Sequence, residues 1–239
     1  MQMEDKKKID GRTIASLILM LLIDPVILYV FKMQENRNYL PFSIGILLLS
    51  LIPFMMIFKK RRPQAKEFIA LLVMSAIAVA ARAAFIMVDQ FKPMGAIIMI
   101  TAVSFGPEAG FLCGGISVIA SNLIFGNGPW TPWQIFAYGV GGYLIGFIFR
   151  KKRPGKLMIS VAIAIVVFAV VGFILDTCAV FTMPNMIDAS KIWPVYKAGI
   201  PVNLTMAAAC FIASFFLADP ILDRLERMKN KYGMFEDEV

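Results

Sequence analysis

Runs of about twenty apolar residues, parted by short clusters of lysine and arginine, constrain this chain more than any other feature. In lipid such a run finds no water for its backbone, so it must close its hydrogen bonds within itself as a helix. Runs of this kind cover about 13–31, 39–58, 66–88, 131–149, 156–178 and 197–222. The chain has 239 residues, 59% hydrophobic and 17% charged, where a soluble domain is roughly half apolar and a quarter charged. The expected class is an all-α polytopic membrane protein. The first run follows Lys6, Lys7, Lys8 and Arg12, as a signal peptide would. It is long, however, has no small-residue cleavage site after it, and contains Asp24-Pro25, so it reads as a true span.

The stretch 93–125 is too long for one comfortable span and rather short for two. Gly106-Pro107 interrupts it, because proline lacks a donor and disfavours helix in the residue before it. Charge decides the count. With one span here, Arg150–Arg153 and Arg224…Lys231 would face away from Lys59–Arg62. With two, about 93–105 and 107–125, every basic cluster falls on one side, as the positive-inside rule requires. The expectation is eight spans with both termini cytoplasmic. The loop 126–134 and a polar connection at 179–196 then share the outer face.

Composition also excludes several kinds of chemistry. The net charge of +8 is accounted for by the clusters between spans, and no aromatic-interleaved basic face points to nucleic acid. Histidine is absent, which removes the commonest transition-metal ligand and general base; no metal site or cofactor is expected. Cys113, Cys178 and Cys210 are an odd, scattered set inside apolar segments and read as small apolar residues. No phosphate-cradling Gly-x-x-x-x-Gly-Lys-Ser/Thr pattern occurs, so this chain does not hydrolyse ATP on its own by that route.

Between two apolar spans lies Gly126-Asn-Gly-Pro-Trp-Thr-Pro-Trp-Gln134. Its glycines and prolines predict a compact, stiff loop. Trp130 and Trp133 can wall a pocket while Asn127, Thr131 and Gln134 supply hydrogen bonds; the plainer alternative is an aromatic anchor at the interface. Charges inside spans cost at least ~2.5–3.5 kcal/mol on insertion scales and usually face a cavity or a partner. Arg82 therefore either snorkels or meets a negative group in an outward pocket. Asp176, at the outer end of its span, is a candidate partner for Arg82 or for a ligand, whereas Asp24 has no assigned role. Asn122 and Asn203 are amides able to line the same outer cavity, with Tyr138 below the loop. Small residues recur four apart at Ala76, Ala80 and Ala84, and again at Gly106, Gly110 and Gly114. Such stripes let helices approach closely in lipid. The glycines read as internal packing; the alanines read equally as a docking surface for another membrane protein.

These residues resemble the substrate-binding (S) components of energy-coupling-factor vitamin transporters. The resemblance covers about 66–222, six helices beginning and ending in the cytoplasm. It rests on Ser75-Ala-Ile-Ala-Val-Ala-Ala-Arg-Ala-Ala-Phe85, on Phe105-Gly-Pro-Glu-Ala-Gly110, and on Ser121-Asn122 leading into the tryptophan loop. The loop pattern looks like the branch whose predicted substrate is cobalamin. The resemblance implies a chain that binds a vitamin from outside, while a transmembrane coupling protein and two ABC-type ATPases power its release. It implies that Ala76, Ala80 and Ala84 contact the coupling protein. It also implies that 126–131 and 179–196 gate a site drawn from Arg82, Asn122, Asn127, Trp130, Trp133, Gln134, Tyr138, Asp176 and Asn203.

The expected organisation is a basic segment and transmembrane hairpin at 1–62, a six-helix core at 63–223 and a charged tail at 224–239. Two alternatives stand beside it. One is an S component for another vitamin or precursor, such as a pyridoxine-, queuosine- or thiamine-like compound. The other is an intramembrane enzyme acting on lipid or isoprenoid, which would need a carboxylate pair, metal cluster or activated nucleophile in one place. Asp24, Asp176 and Asp219 are scattered.

Overall fold

The computed structural model describes residues 65–128, 130–150, 153–182 and 189–234. The expected spans at 13–31 and 39–58, the Lys59–Arg62 cluster and Asp24 lie outside the described residues. So do Pro184, Asn185, Asp188 and the acidic stretch Glu236–Glu238. Everything regular among the described residues is helical, and four helices are long and apolar enough to cross a membrane.

Helix α1 (Ala65–Ala84) has 20 residues, about 30 Å at the usual rise, which matches the hydrocarbon thickness of a bilayer. The expected span ran on to Val88. Instead the chain turns once the membrane is crossed, through Gln90 at φ 56°, and exposes Ile86, Met87 and Val88. Helix α2 (Met94–Phe105) has only 12 residues, apolar on every side, and Met94 to Ala102 are buried without a break. A helix apolar all round belongs inside a bundle, and α2 packs against α1, α3, α4 and α7. Being enclosed by protein, it does not need the full span.

Gly106, at φ 97°, ends α2, and Pro107 starts α3 (Pro107–Phe125). The chain reverses here. A Cβ built on Gly110 would collide with the Cβ of Ala102, which a continuous helix would hold two turns away. The break inferred from charge and proline is thus a true hairpin of two helices. Helix α4 (Thr131–Ile148) returns beside α3 at near backbone contact. A Cβ on Gly110 would lie 2.8 Å from the Gly142 carbonyl oxygen, and one on Gly114 would lie 2.8 Å from the Gly139 nitrogen. The glycine stripe is internal packing, matched by a second stripe on α4.

Helix α5 (Lys156–Val166), a π-helical turn (Val167–Gly172) and helix α6 (Phe173–Thr182) form one continuous rod. Helix α7 runs from Ala189 to Tyr232, well beyond the expected span of 197–222 at both ends. Pro194 lies near its N-terminus, where a proline costs one internal bond and is tolerated. Within the polar connection expected at 179–196, residues 179–182 and 189–196 are helical; 183–188 lies outside the described residues. At the far end the helix continues because Asp219, Asp223 and Glu226 recur on one face and converge on Arg153, at 3.2, 2.7 and 3.1 Å. Lys66 adds a hydrogen bond to the carbonyl of Tyr232. At roughly 66 Å, α7 is twice the thickness of the hydrocarbon core.

The α3–α4 contact leaves no room for side chains. Gly110→Leu is expected to lower stability by at least ~1–3 kcal/mol, the usual cost of overpacking, because backbone atoms cannot step aside. Gly155→Ala, with open space around it, should stay within about 0.5 kcal/mol. Thermal midpoints of the purified variants in detergent test this, and equal midpoints would refute the contact.

Candidate functional site

Three helices meet where α3 ends and α4 begins, and a polar network joins them. Arg82, in the last turn of α1, is half-buried. It donates from Nη1 to Ser121 Oγ at 2.7 Å and to Asn122 Oδ1 at 3.0 Å, and its guanidinium lies 5.1 Å from the centre of the Phe125 ring. Asn122 is buried in α3 and uses both ends of its amide. The oxygen accepts from Arg82, while Nδ2 donates to Thr131 Oγ1 at 3.1 Å and to Gln134 Oε1 at 2.8 Å on α4. An unpaired buried amide costs ~1–3 kcal/mol, so Asn122 holds α1, α3 and α4 at one point.

The loop between α3 and α4 is closed by the same hydroxyl. Thr131 Oγ1 accepts the Gly128 N–H at 3.2 Å and donates to Asn127 Oδ1 at 3.5 Å. The Thr131 and Gln134 amides bond back to the carbonyls of Gly128 and Trp130, both at 2.9 Å, which starts α4 as a tight turn. The two tryptophans then part company: Trp133 packs into the bundle, and Trp130 stands 46% exposed at its rim. One turn below Gln134, Tyr138 is buried where α4 meets α2 and α7. A Cβ on Gly95 would lie 3.3 Å from its ring and 3.2 Å from Cys210 Sγ.

A second polar set joins α6 to α7. Asn203 Nδ2 donates to Asp176 Oδ2 at 2.7 Å. The hydroxyls of Thr177 and Tyr196 bond at 2.8 Å, with Phe173 stacked on Tyr196 at 5.4 Å. The approach depends on Gly172 at the end of the π-helical turn, where a Cβ would lie 2.5 Å from Asn203 Cγ. π-helical turns inside α-helices are common at functional sites.

The structure thus gathers Arg82, Asn122, Asn127 and Gln134 into one network through Thr131, and pairs Asp176 with Asn203 in another. It does not join Arg82 to Asp176: the guanidinium is spent on neutral oxygens of α3, and the carboxylate is met by an amide. Ser121, singled out only as part of the Ser121-Asn122 motif, and Phe125, which carried no signal beyond its place in the last turn of α3, complete the surroundings of Arg82. Ala76, Ala80 and Ala84 all lie on the exposed face of α1, opposite buried Ser75 and Ala78.

No group of three metal-ligating residues occurs among the described residues. Asp176 and Asp219 sit at opposite ends of the bundle, one with Asn203 and the other with Arg153. The network offers one cation, amides, hydroxyls and indole rings, a set suited to binding.

Residues 64–222 match the family model described as the ECF-type riboflavin transporter S component. Among curated proteins, a UPF0397 protein of Clostridium perfringens (strain SM101 / Type A) is 31% identical over 111 residues, covering 44% of this chain and 58% of that protein. A UPF0397 protein of Clostridium perfringens (strain ATCC 13124 / Type A) is 40% identical over 52 residues, covering 22% of this chain and 28% of that protein. The chain spans somewhat over half of the first relative and under a third of the second. No solved structure matches. The family match runs from the start of α1 to Leu222 in α7 and takes in well over half of the chain. With its apolar helices, it makes this a multi-pass membrane protein that belongs to the ECF-type riboflavin transporter S-component family.

Proposed function

We propose that the chain is the substrate-capture subunit of an energy-coupling-factor importer, that it binds a vitamin at the end of the bundle carrying Arg82 and the tryptophan loop, and that this end faces outward. The observation that carries the reading is Asn122, which ties the start of α4 and its loop to α3 and α1 through three side chains, Arg82, Thr131 and Gln134. A loop pinned at its base with Trp130 free at its rim is suited to close over a flat or bulky molecule. Arg82, Asn122, Asn127, Trp130, Gln134 and Tyr138 make up one wall in this reading, and Asp176 and Asn203 the other. Trp133 backs the loop from inside.

The first choice of substrate is cobalamin or a related corrinoid, because Ser121-Asn122 and Gly126–Gln134 carry the pattern that resembles that branch. Riboflavin is the second reading, favoured by the description of the matching family. Delivery depends on partners: a transmembrane coupling protein docks on Ala76, Ala80 and Ala84, two ABC-type ATPases supply the energy, and both termini are cytoplasmic. The exposure of all three alanines supports the docking face.

Calorimetry of the purified chain with cobalamin and, separately, with riboflavin tests substrate and site together. Tight binding of one ligand is expected, weakened at least about tenfold by Trp130→Ala, the loss of roughly 1.4 kcal/mol of ring contact. A folded chain indifferent to both ligands would remove both substrates. Ala80→Trp should abolish uptake in cells supplied with the coupling module while the purified variant keeps its affinity. Lost affinity in that variant would contradict the separation of binding and docking surfaces.

A further inference from the structure

Helix α2 begins inside the bundle. It starts at Met94 after Pro93, no side chain caps that end, and both Met94 and Gly95 are buried. The first bond of the turn runs from the Ala96 amide to the Pro93 carbonyl at 3.0 Å, and the amides of Met94 and Gly95 have no carbonyl partner among the described residues. Buried amides left without a good acceptor are rare, because each costs about as much as a lost hydrogen bond. Cys210 faces this turn from α7, with Sγ 3.2 Å from where a Cβ on Gly95 would stand. Its hydrogen goes to the Lys92 carbonyl at 3.6 Å, and its sulfur offers the Gly95 and Ala96 amides only a weak acceptor.

Tyr138 brings a third donor to the same point. Its ring edge lies 3.3 Å from that Cβ position, and Val167 of the π-helical turn closes another side at 3.6 Å. Tyr138 is 4% exposed, and its hydroxyl makes no hydrogen bond among the described residues. The oxygen of Tyr143, equally buried on the same helix, is sealed in without a partner; that of Tyr138 is not sealed in. Side chains on a helix lean towards its N-terminus, so the Tyr138 ring leans towards the end of the bundle at which α2 and α4 both start. With α2, α4, α7 and the π-helical turn around it, the space it borders is internal. This point lies roughly 6 Å deeper than Gln134, one turn along α4, and roughly 10 Å deeper than Asn203, two turns along α7. It is the floor between the two polar sets.

The charge of the missing acceptor follows from the surroundings. The three side chains nearest Gly95 are uncharged. A full oxyanion would be buried here without a counter-charge, at a cost that amides and one hydroxyl do not repay. A carbonyl oxygen carries the partial negative charge that a helix start favours and avoids that cost.

We propose that the uncapped start of α2 and the Tyr138 hydroxyl form a seat for a neutral carbonyl oxygen, of the amide or imide class, on the captured ligand. This rests on the S-component reading and sharpens it: the ligand enters with a carbonyl-bearing edge leading, and α2 and α4 read that edge at the floor of the site. Riboflavin carries such carbonyls on its ring and cobalamin on its side-chain amides.

The test uses the full chain, purified in an uncharged maltoside. Riboflavin and cobalamin are titrated separately by calorimetry, and infrared difference spectra are recorded for the ligand that binds. One ligand carbonyl band is expected to fall in frequency on binding, as hydrogen bonding to its oxygen requires. Tyr138→Phe, which keeps the ring and removes only the hydroxyl, should weaken binding about tenfold and return the band part of the way. Gly95→Ala sets a methyl group against the first turn and should also weaken binding. Should Gly95→Ala fail to fold, Tyr138→Phe still carries the comparison. Tyr143→Phe removes a hydroxyl that has no partner and should leave affinity and band unchanged. Equal affinity in wild type and Tyr138→Phe, a loss of affinity with the band unmoved, or an equal loss in Tyr143→Phe would overturn the seat and leave the capture role standing. A folded wild-type chain that binds neither vitamin would remove the capture role for both ligands, and the seat with it.

Discussion

Backbone contact between α3 and α4 is the constraint on which the remaining arrangement depends. Lipid provides no hydrophobic drive for helices to associate, so close packing must supply it. Gly110 and Gly114 face Gly142 and Gly139 with no side chain between them. This contact fixes the register of the two helices, and the register decides what meets at their connected ends. Asn122 sits two turns above Gly114, and Gln134 lies one to two turns from Gly139, so the two amides arrive at 2.8 Å. A slip of one residue would rotate each amide by about 100° and open the network. The apolar packing in the middle of the membrane thereby sets the geometry of polar groups at its edge.

Most of this architecture was legible in the sequence because lipid leaves few alternatives. Spans at about 93–105 and 107–125 followed from Gly106-Pro107 and the placement of basic clusters, and the helices run Met94–Phe105 and Pro107–Phe125. The glycine stripe was legible for the same reason: three small residues four apart serve one purpose in a membrane. Helix ends were less so. Hydropathy locates the part of a helix that sits in lipid and says nothing of where hydrogen bonding stops in water. For that reason α7 overran its expected span at Leu222, carried on by carboxylates that meet Arg153 from another loop.

Several members of the polar network were legible one by one, but its wiring was not. Arg82, Asn122 and Gln134 stood out because each is costly in an apolar segment. Their partners depended on rotation about helix axes, which no local pattern encodes. An opposite charge was the obvious mate for Arg82, yet Asp176 lies with Asn203 because Gly172 lets α7 come within reach of α6 first.

In the proposed role, helix α1 is where binding and delivery come together. One face buries Ala70, Leu71, Met74, Ser75 and Ala78 against the bundle; the other exposes Ala76, Ala80 and Ala84. Arg82 follows Ala80 by two residues on the same rigid helix. In the proposed role, a coupling protein seated on the alanines holds the backbone that positions the guanidinium. Shifting α1 against α3 by a single turn would carry Nη1 about 5 Å away from Ser121 and Asn122, beyond any hydrogen bond. Asn122 would lose its acceptor role and keep Thr131 and Gln134, so the loop would stay folded while its tie to α1 opened. Release of the ligand then requires no signal passed across the bundle. In that role the element that docks is also the element that completes the site.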